Sequence, residues 1–210
     1  MQDKTSYTRL LDLLKANRSV RIFKEDHPIS PTTLRDLVVL TRYTASGRNA
    51  QPLKYRLVYE KQEREEVFPL LAWAGYFKDW DGPEPGQRPA AYLIQCLDTT
   101  FGNNCLCDDG LQLEAITLGA TTMGLGCCII KAFNAPKLSE VLCLPEHLIP
   151  RYVLAVGYPD QKVVIEKMKP DPDDPEAPVD FKYYRTPDGV HHVPKRPVSE
   201  LIIPAPDTAV

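Results

Sequence analysis

Near the start of the chain, Tyr7, Leu10, Leu11 and Leu14 recur at steps of three and four residues, which predicts a helix over residues 6–15 with one apolar face. A second helix opens at Ser30-Pro31, where serine can cap free amides and proline fits the first turn. It runs to about Arg42 with Leu34, Leu37 and Val38 inward. Residues 54–59 alternate apolar with polar and predict a strand, and a charged helix follows over 62–73. Residues 79–89 are dense in Gly and Pro and predict a surface loop of the kind that often covers a site.

The nearly unbroken apolar run at 90–97 suits a strand covered on both faces. Asp108 then opens the longest helix, about 109–123, with Leu111, Ala115, Leu118 and Thr122 on one stripe and Gly124 and Gly126 ending it. Asp108 and Asp109 read as an N-cap and a first-turn charge suited to the helix dipole. Two further buried strands are expected at 127–130 and 152–156, with a short helix near 136–143 between them. Strands alternating with helices predict a layered α/β or α+β sheet.

Beyond 160 the pattern changes. Residues 166–180 are proline-rich without apolar periodicity and predict an extended segment. Residues 181–185 and 190–193 flank Thr186-Pro-Asp-Gly189, a turn sequence that predicts a hairpin. Its second strand leads into Lys195-Arg196 and an apolar patch at Val198 and 201–203.

Composition narrows the function classes. The 210 residues, 43% hydrophobic and 25% charged, fit one globular domain over 1–210 with an arm at 181–210. A net charge of −3 argues against a general nucleic-acid binder. With no signal-like apolar region and no apolar stretch near the ~18 residues that span a bilayer, the expectation is a cytoplasmic protein without a membrane partner. The six cysteines form no regular framework and Cys105-x-Cys107 lacks a metal or redox spacing, so reduced thiols and no metal are expected. His191 and His192 have no acid or nucleophile beside them in sequence, and Trp73, Tyr76, Phe77 and Trp80 read as loop packing or a lid.

Two segments carry candidate chemistry. Arg18-Ser19-x-Arg21 offers two guanidiniums and a hydroxyl within four residues, enough to grip a phosphate, although a solvated turn would read the same. Ser46-Gly47-Arg48-Asn49-Ala50-Gln51-Pro52 places hydrogen-bonding side chains beside a glycine, as a ligand-contacting loop or a plain connection would.

Taken in order, these segments resemble the nitroreductase superfamily, with its R-S-x-R after the first helix and its P-S-x-x-N-x-Q-P loop after the second. Gly124-Leu-Gly126 through Phe133 is similar to the family's G-x-G segment. Leu144-Pro145-Glu146, Ala155-Val-Gly-Tyr-Pro159 and Lys195-Arg196-Pro197 resemble its later motifs, so the likeness runs from about residue 10 to 203.

The resemblance implies an α+β fold: a three-layer α/β/α sandwich with a mixed, mainly antiparallel sheet and a C-terminal extension exchanged with a dimer partner. It implies an FMN-dependent homodimer that takes electrons from NAD(P)H and passes them to small electron-poor acceptors such as nitroaromatics or quinones. Arg18, Ser19 and Arg21 would hold the flavin, with Lys195 or Arg196 closing on its phosphate. The partner would lend Ser46, Arg48, Asn49 and Gln51, and Ile130, Lys131 and Ala132 would lie near the flavin ring. No side chain is expected to act as a catalytic acid or base. Two positions depart from the family pattern: Ala45 replaces a proline and Ala132 a glycine, and the second restricts φ at the reacting end. Dehalogenation, ene reduction, or flavin binding without turnover are the alternatives.

Overall fold

A computed structural model describes residues 4–169 and 176–203. It contains two compact units, Met1–Gly75 with Asp79–Asp160, and Tyr76–Lys78 with Gln161–Val210. The element content is α+β.

In the first unit, four strands form an antiparallel sheet in the order β1-β2-β4-β3: β1 (Leu53–Val58), β2 (Ala91–Asp98), β3 (Gly126–Ile130) and β4 (Leu148–Gly157). Every residue of β2 is buried, as its apolar run requires of a central strand. Its side chains alternate between two hydrophobic clusters. Tyr92, Ile94 and Cys96 join one with Val153, Ala155, Cys128 and Ile130; Ala91 and Leu93 join the other with Leu154, Val156 and Cys127. The first cluster also takes Val67 and Leu138 from α3 (Lys61–Val67) and α5 (Ala135–Val141). The second takes Leu34 and Leu37 from α2 (Pro31–Val39) and Leu113, Ile116 and Ala120 from α4 (Asp108–Thr122). As the sequence predicts, Ser30 caps α2, its hydroxyl accepting from the Thr33 amide at 3.0 Å.

Three elements differ from the sequence reading. The helix expected to reach residue 73 stops at Val67 and gives way to a single tight turn at Phe68–Leu70, because Pro69 has no amide to continue the ladder. Trp73 instead packs in the first cluster between Phe68 and Trp80. On α4 the buried side is Leu113, Ile116, Thr117 and Ala120, whereas Leu111 is 42% exposed and Thr122 lies in solvent. This helix is apolar on two sides, so periodicity alone does not choose the core face. The first helix, α1 (Lys4–Ala16), forms as predicted but buries nothing; Tyr7, Leu10, Leu11 and Leu14 all face outward.

In the second unit, β7 (His191–Lys195) pairs parallel with β5 (Val163–Lys167) and antiparallel with β6 (Tyr184–Arg185), which makes the predicted hairpin. Gly189 closes the turn at φ 84°, donating to the Thr186 carbonyl. β5 enters the segment expected to be extended, and residues 170–175 of that segment lie outside the described residues. His192 Nδ1 lies 2.5 Å from Glu166 and its ring stacks on Tyr184, while buried His191 meets Phe77 edge-on, so both histidines pack the hairpin.

Candidate functional site

The Arg18–Arg21 segment leaves α1 and runs alongside the edge strand β3. Ser19 bridges Cys127 in parallel, and the Val20 amide donates to the Cys127 carbonyl at 2.8 Å. Two glycines make room for it. A Cβ on Gly126 would stand 2.5 Å from Val20 Cγ2, and one on Gly157 would stand 2.6 Å from the buried Phe23 ring. The backbone on both sides therefore fixes where the two arginines emerge. Arg18 donates to the Leu14 carbonyl at 2.8 Å, and its Nε is buried without a hydrogen-bond partner among the described residues. Burial pulls its guanidinium below the ordinary arginine range, and Glu114 acts in the opposite sense. Cationic donors with an unfilled buried N–H suit a phosphate.

β3 carries Ile130 to the same edge of the sheet, followed by Lys131 and Ala132. Lys131 donates to the Arg151 carbonyl at 3.0 Å and lies 4.3 Å from the Tyr152 ring centre. Arg151 sits where the β2–β4 register shifts, between the partners of Gln95 and Cys96, and this bulge turns its guanidinium toward Asp109 at 3.4 Å. The Ala132 carbonyl accepts from the Ala72 amide at 2.9 Å. Ala132 does not have positive φ, so alanine in place of glycine carries no left-handed backbone strain there.

The second segment is held differently. Arg48, Asn49 and Gln51 have φ of 56°, 54° and 48°, so three non-glycine residues occupy the left-handed region within four positions. Each such residue costs about 1 kcal/mol or more. Asp108, 1% exposed at the start of α4, compensates: Ser46 Oγ donates to its Oδ2 at 2.6 Å and the Gly47 amide to its Oδ1 at 2.9 Å. Hydrogen bonds to a charged acceptor contribute about 1.5–3 kcal/mol each, enough to offset the strain. Ser46 Oγ also accepts from the Gln51 amide at 2.9 Å, which closes the loop on itself. A Cβ on Gly47 would stand 2.2 Å from Leu106, so glycine permits the close approach of the 101–106 turn. Between the loop and that turn lies a cavity of about 350 Å³ bordered by Arg48, Phe101, Asn103, Asn104 and Leu106.

The structure sets Arg18, Ser19 and Arg21 along the β3 edge, where Ile130 lies three residues, about 10 Å, beyond the Ser19 partner Cys127. Lys131 is tied instead to Arg151, which pairs with Asp109, and Ser46, Arg48, Asn49 and Gln51 of the same chain lie apart from Ser19. Ser19 lies level with Cys127, Val156 and Ala91, whereas the Pro52 carbonyl accepts from the amide of Asp98. The two segments therefore stand at opposite ends of β2, about 25 Å apart along the strands, and outside opposite edges of the sheet, at least about 14 Å across. Lys195 ends β7 in the second unit with Arg196 following it, and both are exposed.

Sequence reasoning missed Asp108. Its place at a helix start suggested a cap, but Cys107 occupies that position and the carboxylate serves the loop. Serine before a glycine 61 residues away gives no local sign of this bond. Gly126 and Gly157, in contrast, carried a signal, since glycine inside a strand pattern marks close backbone approach. All six cysteines are free, and burial pushes the Cys96 thiol up to about 12, outside the reactive range.

This α+β architecture is that of solved nitroreductase family proteins. The chain superposes on a nitroreductase family protein from Streptococcus pneumoniae with a TM-score of 0.64 at 20% identity, covering 93% of this chain and 100% of that one. Residues 107–158, which contain Asp108 and Ile130–Ala132, match the Nitroreductase family. Residues 107–158 thus match the family by sequence, and the chain shares the fold of its solved members. Among curated relatives, an oxygen-insensitive NADPH nitroreductase from Salmonella typhimurium is 25% identical over 71% of this chain and 65% of its own length. An FMN reductase (NADPH) from Bacillus subtilis is 39% identical over 56 residues, 26% of this chain and 22% of that protein. The chain thus spans less than two thirds of either relative. No helix among the described residues is long and apolar enough to cross a membrane.

Proposed function

We propose that this protein is an FMN-dependent oxidoreductase that takes electrons from NAD(P)H and delivers them to small electron-poor acceptors such as nitroaromatics or quinones. The observation that carries the reading is the basic Arg18–Arg21 segment fixed along the edge of β3, the strand that leads into Ile130–Ala132. The activities of the two curated relatives, an FMN reductase (NADPH) and an NADPH nitroreductase, support it. Bound FMN would supply the electron-transfer chemistry.

The residues of this chain would bind, orient and shield. Arg18 and Arg21 provide charge-assisted donors for the phosphate and pyrimidine edge, and Ser19 a hydroxyl for the ribityl chain. Lys195 or Arg196 adds a further cation. Because Ser46, Arg48, Asn49 and Gln51 lie at the far corner of their own sheet, they complete the site of a second copy. The working form is a homodimer, with the two units of each chain being one sandwich domain and its exchanged arm. The outward apolar face of α1, together with exposed Leu111, Met123 and Ile129, offers a surface for that partner. The cavity beside Arg48 has room for a one- or two-ring acceptor, since about 150 Å³ accommodates benzene.

The test is direct. Full-length protein purified and mixed with FMN is expected to turn yellow at one flavin per chain and to bleach on adding NADH or NADPH. A protein that takes up no FMN overturns the reading, and one that stays yellow with both nucleotides is a flavin binder without turnover.

A further inference from the structure

Asp108 has a role that neither the family match nor the sequence pattern assigns. We propose that it is a positioning residue for the cofactor site: it contacts no ligand itself but holds the Ser46–Gln51 loop in the one shape that presents Arg48 and Asn49. The inference rests on the flavin reading for its consequence and on geometry for its cause.

Asp108 is buried, and both of its oxygens serve the loop, one on the Ser46 hydroxyl and one on the Gly47 amide. The next three backbone turns depend on Ser46 and Gly47 as acceptors. The Asn49 amide donates to the Ser46 carbonyl at 2.9 Å, the Ala50 amide to the Gly47 carbonyl at 3.1 Å and the Gln51 amide to Ser46 Oγ at 2.9 Å. Three residues in left-handed backbone do not keep that conformation unaided. Without the carboxylate the loop relaxes to ordinary dihedrals and swings Arg48 and Asn49 away from where they point. Asp109, its neighbour, is the natural control. It sits in the same first turn and has the same relation to the helix dipole, but pairs with Arg151 and not with the loop.

The experiment compares Asp108→Asn, Asp109→Asn, Arg48→Ala and the double variant Asp108→Asn/Arg48→Ala in full-length protein. Readouts are FMN titration by flavin fluorescence and hydrogen exchange of the amides of residues 47–51. Asp108→Asn keeps one acceptor oxygen and sets an NH2 against the other of the two donors, the Ser46 hydroxyl or the Gly47 amide. It is expected to weaken FMN binding at least 10-fold and to speed exchange at Asn49, Ala50 and Gln51 at least 10-fold, while Asp109→Asn changes both less than 3-fold. Because Asp108 acts through the loop, the double variant should bind FMN about as weakly as the weaker single variant, not by the product of the two losses.

The proposal is overturned by unchanged loop exchange in Asp108→Asn, by equal effects of the two aspartate variants, or by multiplicative losses in the double variant. Failure of the wild-type protein to bind FMN would overturn the flavin reading instead. Loop exchange would then still decide whether Asp108 holds the loop.

Discussion

The two arginine-bearing segments are built on opposite principles. Arg18–Arg21 is laid down by backbone: a bridge to β3 on one side, and two glycines that leave space for Val20 and Phe23. Ser46–Gln51 is held by side chains, with buried Asp108 at its start and, at its exit, Asp98 beneath Lys54. The first arrangement is independent of ionisation and sensitive to volume. The second tolerates little change in charge and stores strain in Arg48, Asn49 and Gln51. The site proposed above, drawing one segment from each of two chains, would join a rigid half to an adjustable one.

Volume should break the first half most severely. Gly126→Val drives its side chain into Val20 and Pro159, both within 3 Å of a Cβ there. It is expected to destabilise the fold by about 1–3 kcal/mol and to abolish flavin uptake, measured by thermal melting and FMN titration. Retention of normal FMN affinity would show that the segment does not need the β3 edge.

Acid should loosen the second half first. The Lys54 ammonium and the Thr100 hydroxyl and amide hold the Asp98 carboxyl down to about 2. A carboxyl depressed in the folded state contributes stability that is present above its unfolded value, near 4, and is lost as pH falls through 2. Asp98→Asn should therefore flatten the fall in melting temperature between about pH 4 and 2, with little change at the β3 edge by amide exchange. An unchanged acid limb would remove Asp98 from the account.

The smallest effect is a gain. Gln51→Gly relieves a φ of 48° and should stabilise the protein by about 0.5–1 kcal/mol in a denaturant melt, if its contact with Asn49 contributes less than the strain. A loss of stability would mean that the Gln51 side chain outweighs its backbone.

How much of this was legible follows the same division. The α2 cap, the apolar run of β2 and the 186–189 turn are local patterns, and the structure repeats them. The order of R-S-x-R, S-x-x-N-x-Q-P and G-x-G marked both segments because family likeness lies in linear motifs. The core face of α4 was misjudged because Leu111 and Leu118 are as apolar as Leu113 and Ile116; only packing distinguishes them. The third helix reads too long because Leu70, Leu71 and Ala72 suit a helix by composition, although Pro69 ends it. Asp108 reads locally as a cap because its partners, Ser46 and Gly47, stand more than sixty positions away, where no spacing rule reaches. The separation of the two segments follows from strand register, which no local pattern shows; only the family resemblance implies it.

Mixing two broken chains shows whether that separation builds each site from two subunits. Arg18→Ala disables one half of each site and Asn49→Ala the other, so neither homodimer should hold FMN well. Unfolded together in equal amounts and refolded, they form heterodimers in which one of the two sites draws both halves from intact segments. About one quarter of the wild-type flavin sites should then return, as a two-fold symmetric dimer requires. Recovery to that level would establish a site shared between chains. No recovery, with heterodimers shown to have formed, would mean that each chain builds its site alone and would contradict the account.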